Sequence, residues 1–155
     1  MGGGMEVVEK GPIKVVGIEV RAPWQELWTE APKAWQRLRS RAGEITERAS
    51  EVFVDVSVEV KDGIYTQVVG AEVRSLDAVP EGMVALEIPA QRYVHFRHEG
   101  TLEAIAESFG KLYAWGRDEG HELDEFKLDI GYTLEGGERV HDLYVRVAAP
   151  AKGES

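Results

Sequence analysis

The chain has 155 residues, with 18 basic and 28 acidic side chains, a formal net charge of −10 and no cysteine. Its hydrophobic content of 43% is typical of one folded domain, and the lack of cysteine excludes disulfides, thiolate zinc sites and thiol nucleophiles. Such a negative chain repels nucleic-acid phosphates and anionic lipid, and no apolar run approaches the roughly 20 residues that span a bilayer. We expect a single cytoplasmic domain over residues 1–155 that binds neither nucleic acid nor membranes directly.

The first predicted elements are a strand and a helix. Residues 13–20, "IKVVGIEV", are rich in β-branched side chains, which indicates a strand. Pro23 suits the start of a helix over residues 24–41, and Pro32 predicts a kink or a boundary within it. The apolar residues of this helix recur three and four positions apart and form one stripe: Leu27, Trp28, Ala31, Ala34, Trp35 and Leu38.

A β-hairpin is the clearest prediction in the sequence. Valine occupies every second position from 52 to 60, a strict alternation that indicates a half-buried strand. Asp62 and Gly63 then supply the two positive-φ residues of a tight turn. An uninterrupted register across this turn places Tyr65 and Gln67 on the valine face and pairs Val60 with Tyr65, Val58 with Gln67 and Val56 with Val69.

The second half predicts a similar series. Residues 84–98 form two strands broken at Pro89, and Thr101 is a suitable N-cap for the second helix, which we expect to end at Gly116. The closing hairpin turns at Gly136 and Gly137, between "EFKLDIGYTL" and "RVHDLYVRV". The predicted buried stripe of the second helix consists of Leu102, Ile105, Ala106, Phe109, Leu112 and Tyr113.

The two halves repeat one pattern of strand, helix, strand, turn and strand. Aligning residues 14–16 with residues 92–94 places Ile18 on Phe96 and Trp35 on Tyr113. The sequence therefore predicts an α+β fold of two tandem β-α-β-β modules, over residues 12–74 and 90–148. Such modules build an antiparallel sheet with two helices over one face, and the groove between the helices is the expected central cleft.

Several stretches carry a resemblance to a known family. They are "KVVGIEVRA", Trp28 in the first helix, "DGIYTQVVGAEV", "LYAW", "LYVRV" and, most specifically, "VPEGMVALEIPAQRYVHFRHEG" at residues 79–100. Over about residues 13–147 the chain resembles the GyrI-like, or AraC-type effector-binding, small-molecule-binding domains. The resemblance implies two β-α-β-β modules around a central aromatic pocket for bulky, often cationic, hydrophobic compounds. Where such a domain is fused to a DNA-binding module, ligand occupancy controls transcription.

Family members often carry a pocket glutamate in a Phe-Glu-x-Tyr motif on the penultimate strand. This chain has "FKLD" at residues 126–129, so that a lysine stands where the glutamate is expected. Either Asp129 or Glu125 then supplies the negative charge, or the pocket prefers neutral or anionic ligands. The ligand-binding residues that we expect are Trp28, Tyr65, Tyr93, Phe96, Trp115, Glu125, Lys127 and Asp129.

The function expected from these observations is the binding of hydrophobic small molecules, including cationic drugs and effectors. No catalytic motif is present, so binding is favoured over catalysis. His95 and His98 point to opposite faces of a strand, and neither His121 nor His141 has a visible partner, so we expect no metal or other cofactor. The resemblance adds two alternatives: a hydrolase of strained cyclopropane-type genotoxins in the same cleft, and an inhibitor module, like the family's namesake, with a protein partner.

Overall fold

A computed structural model describes residues 4–135 and 140–148. Two helices and eight strands account for most of this chain, and short 3₁₀ turns follow the first helix and precede the second. None of the helices in the described ranges is long and apolar enough to cross a membrane. The helices are α1 (Trp24–Arg41) and α2 (Ile105–Asp118), and the strands are β1 (Glu6–Lys10), β2 (Ile13–Pro23), β3 (Arg48–Lys61), β4 (Ile64–Val73), β5 (Val84–Ile88), β6 (Gln91–His98), β7 (Leu123–Tyr132) and β8 (His141–Val147).

All eight strands belong to one antiparallel sheet, in the order β1-β6-β8-β7-β3-β4-β2-β5. The first half of the chain contributes β2, α1, β3 and β4, and the second half contributes β6, α2, β7 and β8. The pairing of β3 with β7 joins the two halves at the middle of the sheet. Helix α1 packs on β2 and β4, and α2 packs on β6, β7 and β8. The predicted α+β fold, with two helices over an antiparallel sheet, is confirmed.

Both faces of the sheet are buried, which explains why neighbouring residues of one strand are both in the core. Val16 of β2 packs beneath α1, whereas Val15, its neighbour, belongs to an apolar cluster on the opposite face. That second cluster includes Ile88 of β5, at one edge of the sheet, and Tyr93 of β6, near the other edge. The apolar cluster on the side away from the helices therefore extends across the sheet, from the strand at one edge to strands near the other.

One glycine pair sets the spacing between β2 and β4. Gly17 and Gly70 are opposite one another in the antiparallel register. A Cβ atom built on Gly17 would lie 2.6 Å from the Cα of Gly70, well inside any real contact. Neither position tolerates a side chain without separating the strands, so close backbone approach is the reason for glycine here.

The chain turns largely follow the sequence prediction. Asp62 and Gly63 have φ of 54° and 78°, as the predicted tight turn requires. The Thr101 hydroxyl accepts a hydrogen bond from the Ala104 amide at 3.2 Å and so caps the turn before α2. The predicted turn at residues 136–137 lies outside the described residues.

Of the two alternatives predicted at Pro32, a kink or a boundary, the structure excludes the boundary, because α1 continues through Pro32 to Arg41. The predicted end of the second helix was wrong. Gly116 does not end α2; it is buried against Leu123, and the helix continues for two more residues, to Asp118. The chain leaves the helix at Gly120, whose φ of +84° is the left-handed conformation usual after a helix.

The register of the predicted hairpin is correct next to the turn and wrong beyond it. Val60 pairs with Tyr65 as expected, but a β-bulge at Val58 then shifts the pairing by one residue, so that Val56 faces Val68 rather than Val69. A one-residue shift exchanges the two faces of a strand. Gln67 consequently lies with Asp55, to which it is hydrogen-bonded, and not on the face of Val56.

Candidate functional site

A cavity of about 650 Å³ lies between the two helices. No Cα atom of α1 comes within 8 Å of one in α2, so the helices do not fill the space between them. The floor is formed by β3, β4 and β7, and the walls by the start of α1 and by α2 with its preceding turn. The volume is within the range usual for small-molecule sites. Its lining residues are Trp24, Trp28, Asp55, Ser57, Gln67, Leu102, Glu103, Ile105, Ala106, Phe109, Lys127, Asp129 and Tyr132.

Aromatic rings from α1 and β4 stand at one end of this cavity. The Trp24 ring lies 5.6 Å from the Trp28 ring in an edge-to-face arrangement and 5.5 Å from the Tyr65 ring. Trp24 and Trp28 are 53% and 71% exposed, which is unusual for tryptophan. Beside them, a second cavity of about 200 Å³ is lined by Tyr65 and Glu125 and shares Trp24 and Lys127 with the first.

A buried hydrogen-bonded group anchors Asp129 in the cavity floor. Its two carboxylate oxygens each have a partner: the Tyr132 hydroxyl donates to Oδ2 at 2.6 Å, and Nδ1 of His141 lies 2.6 Å from Oδ1. His141 is fully buried in β8, with its ring edge-on to Tyr132 at 4.6 Å. Burial, together with the nearby Asp129 and Asp55 carboxylates, raises the pKa of Tyr132, which therefore remains a proton donor.

Asp55 faces Asp129 across the β3–β7 pair. Side chains directly opposite in a sheet lie about 5 Å apart, so the two carboxyl groups repel each other when both are ionised. Burial, with the Asp129 charge as the second cause, raises the pKa of Asp55 from 3.8 to about 7. The Gln67 side-chain amide, 2.8 Å from both carboxylate oxygens, acts in the opposite direction. Asp55 can therefore hold a proton near neutral pH.

Lys127 brings a positive charge to the same floor. It lines both cavities, and its Nζ lies 5.9 Å and 5.8 Å from the ring centroids of Phe109 and Tyr113. Burial lowers the pKa of Lys127, while Asp55 and the acidic residues at 124 and 125 oppose this effect. No described carboxylate lies close enough to Lys127 to form an ion pair.

Five of the eight expected ligand-binding residues lie around these cavities. Trp28, Lys127 and Asp129 line the larger one, and Tyr65, Glu125 and Lys127 line the smaller one. Sequence reasoning had left the inward face of β7 open. Lys127 and Asp129 face the helices, whereas the alternate residues of β7 pack on the other side of the sheet.

The other three expected residues line neither cavity. Tyr93 is only 1% exposed and belongs to the apolar cluster on the face away from the helices. Phe96 packs in the core beneath α2. Trp115 packs in that core as well and stacks on the His121 ring at 5.9 Å. Each of these three rings packs against other apolar side chains of the domain and not on the cavity where a ligand was expected.

Sequence reasoning missed Asp55, Gln67, Phe109 and Tyr132 as cavity residues, and it assigned no partner to His141. A signal for Asp55 was present: an acidic side chain near the middle of a long strand is unfavourable unless it has a partner or a role. No comparable signal marked His141, because its partner Asp129 is on a different strand.

The arrangement can compensate a positive charge and can hold a proton near neutral pH. Nε2 of His141 is buried and has no hydrogen-bond partner among the described residues. Within the described ranges, no three His, Asp or Glu side chains converge as a metal site would. The chemistry available at the floor is thus that of the carboxyl pair, Lys127 and Tyr132.

This two-module α+β fold, with an acidic, aromatic cavity between its helices, is that of a small-molecule-binding domain. Residues 6–147 match the family described as Cass2, integron-associated effector binding protein. The chain belongs to this family, which is one of the GyrI-like, effector-binding, small-molecule-binding proteins.

Known relatives agree with this assignment. The transcriptional regulator BrlR of Pseudomonas aeruginosa is 36% identical over 111 residues, which are 70% of this chain and 40% of BrlR. SAV2435, solved with tetraphenylphosphonium bound, superposes with a TM-score of 0.74 at 9% identity and covers 94% of each chain. The integron cassette protein VCH_CASS2 of Vibrio cholerae superposes with a TM-score of 0.70 at 15% identity, over 94% of this chain and 96% of its own. At such identities the two structures establish the fold alone.

Proposed function

We propose that the chain binds bulky hydrophobic molecules, including organic cations, in the cavity between α1 and α2. The observation that carries the proposal is the combination of an unfilled cavity of about 650 Å³, exposed tryptophans at its wall and a carboxyl pair in its floor. Each feature is costly to a protein that makes no use of it, because exposed indole rings and facing carboxyl groups both oppose folding.

The walls suit flat or globular aromatic ligands. Trp24 and Trp28 from α1 and Phe109 from α2 line the cavity on its two sides, so a ligand between the helices meets apolar rings on both. Indole rings bind cations over their faces, a contact worth about 0.5–2 kcal/mol. Rings that pack loosely can also accommodate ligands of different shape, which favours multidrug binding.

The floor suits a ligand with a delocalised positive charge. Asp129 already accepts hydrogen bonds from Tyr132 and His141, whereas Asp55 has, among the described residues, only the Gln67 amide as its hydrogen-bond partner. A cation above this pair offsets the repulsion between the two carboxylates and favours the ionised form of Asp55. The chain's net charge of −10 raises the local concentration of cations as well.

A structural neighbour supports the ligand class. SAV2435 has tetraphenylphosphonium bound, and this compound is both hydrophobic and cationic. We infer that ligands of the same class enter the cavity of this chain, where four phenyl rings and a central charge would meet the tryptophans and the carboxyl pair.

Isothermal titration calorimetry with tetraphenylphosphonium tests the proposal. We expect saturable binding to the wild type and an affinity about tenfold weaker for Trp28→Leu, because the leucine keeps apolar area but removes the indole face. Trp115→Leu is the matched control, since Trp115 lies in the core beneath α2 and lines neither cavity.

Two results would contradict the proposal. One is the absence of saturable heat at millimolar tetraphenylphosphonium. The other is an equal loss of affinity in Trp28→Leu and Trp115→Leu, with both variants folded by circular dichroism, because the ligand would then bind outside the cavity between the helices.

A further inference from the structure

Lys127 is the feature of the cavity floor that the binding of a simple cation does not explain. An ammonium group repels an incoming cation, yet this one lines both cavities. Its side chain is only partly exposed, and its Nζ lies near the Phe109 and Tyr113 rings without forming an ion pair with any described carboxylate. Asp55, Asp124 and Glu125 favour the charged form of this lysine, but none of the described carboxylates pairs with it directly, so its ammonium group is available to a negatively charged group of a ligand.

The obvious internal partner does not pair with it. Asp55 is the diagonal neighbour of Lys127 on the adjacent strand, two residues from Ser57, since Asp55 is opposite Asp129 and Ser57 is opposite Lys127. Yet Lys127 forms no ion pair with any residue that the structure describes, and the Asp55 carboxyl oxygens accept hydrogen bonds from the Gln67 side-chain amide. The short side chain of Ser57 leaves the position opposite Lys127 open, and this residue lines both cavities too.

Two sites of opposite charge therefore lie side by side on the floor. Lys127 and Asp129 are two residues apart on β7, so they share a face at a separation of about 7 Å. Asp55 extends the acidic site onto β3. A molecule of drug size covers both positions at once while its rings contact Trp24 and Phe109.

We propose that the preferred ligand is amphoteric: an aromatic compound with an anionic group bound by Lys127 and a cationic group bound at the Asp55–Asp129 pair. The inference rests on the proposed function and specifies its ligand class. A carboxylate of the ligand would lie next to the Lys127 ammonium group, where none of the described carboxylates forms an ion pair. Charge-assisted hydrogen bonds of this kind are the stronger ones, particularly where water is partly excluded.

A matched pair of dyes tests the inference. The first is a cationic rhodamine with a free benzoate carboxylate, and the second is the methyl ester of the same dye. They share the aromatic cation and differ only in the anionic group. Fluorescence anisotropy at pH 7 should show the carboxylate dye binding the wild type about tenfold more tightly than the ester, equivalent to about 1.4 kcal/mol.

Lys127→Gln identifies the group responsible for that preference. The variant should weaken binding of the carboxylate dye about tenfold and strengthen binding of the ester, because repulsion of the cation is removed. Lys111→Gln is the control; Lys111 is an exposed lysine of α2 that lines neither cavity, so the preference should persist. Thermal unfolding of each variant verifies that it is folded.

The outcomes separate this inference from the proposed function. If neither dye binds the wild type, the proposed function fails. If the ester binds as tightly as the carboxylate dye, or if Lys127→Gln keeps the wild-type preference, the cavity binds cations and the assignment of an anionic group to Lys127 is wrong.

Discussion

Replacing Asp55 by asparagine tests the electrostatics of the cavity floor. The variant keeps the shape and hydrogen-bonding capacity of the side chain but cannot ionise. Asp55 has its pKa raised from 3.8 to about 7, first by burial and then by Asp129. The folded protein therefore retains a proton that the unfolded chain loses above about pH 4. The stability that this proton contributes is complete below pH 3.8 and is lost as the pH rises through 7.

The magnitude follows from the same numbers. A pKa difference between 3.8 and about 7 corresponds to about 4 kcal/mol at 1.36 kcal/mol for each pKa unit. Solvent reaches Asp55 from the cavity, which screens its charge, so we expect about half of this value. The free energy of unfolding of Asp55→Asn minus that of the wild type should increase by about 2 kcal/mol as the pH is raised from 4 to 8.

Urea unfolding of both proteins across this pH range measures the gain. Using the difference between variant and wild type removes the contribution of titrating groups that do not interact with Asp55, whereas Lys127 and Tyr132, whose pKa values depend on Asp55, remain part of the measured effect. Asp77→Asn, at an exposed carboxyl group, is the control and should show no such trend. A variant that gains equally at pH 4 and pH 8 would refute the reasoning, since its effect would not depend on ionisation.

Two further predictions concern the fold. Gly17→Ala should lower the free energy of unfolding by about 3 kcal/mol, because its Cβ would clash with the backbone of β4, whereas Gly43→Ala has open space and should change it little. Trp35→Ala should lower the free energy of unfolding by about 3 kcal/mol because Trp35 packs on the core beneath α1. Trp28→Ala, at a mostly exposed ring, should lower it by less than about 1 kcal/mol. Urea unfolding at one pH measures both pairs, and equal losses of unfolding free energy within either pair would contradict the packing of Gly17 against β4 or of Trp35 beneath α1.

The elements of the fold were predictable where local patterns agree with tertiary structure. β-Branched alternation, the Asp62-Gly63 turn and the two helices are local features, and each appears in the structure. The two predicted apolar stripes are only partly buried, since Trp28 of the first and Ala106 of the second are exposed. Strand β1 was not predicted, because "EVVEK" has only two apolar residues and is stabilised by pairing with β6, more than 80 residues away. The bulge at Val58 was also not predictable, since no residue in the alternating run interrupts its period.

The candidate site was only partly predictable because both faces of the sheet are buried. On a sheet with one solvent-exposed face, the alternation of apolar and polar residues along a strand assigns each residue to the core or to solvent. Here Tyr93 and its neighbour Val94 are both buried, one on each face of the sheet. The sequence pattern of β6 therefore does not show on which face an aromatic residue packs. Residues 127 and 129 were predicted through the family's pocket position, which depends on the fold rather than on local pattern.

The charge of the floor depends on one proton. Below its pKa of about 7, the Asp55 carboxyl group holds a proton and adds no negative charge beside the Lys127 ammonium. A floor with less negative charge suits an amphoteric ligand, whose own charges are balanced. Loss of the Asp55 proton adds one negative charge to the floor, which suits a simple cation. The preference between the two ligand classes should therefore shift towards cations as the pH rises above 7, because the same carboxyl group that destabilises the empty fold when ionised becomes the counter-charge of the ligand.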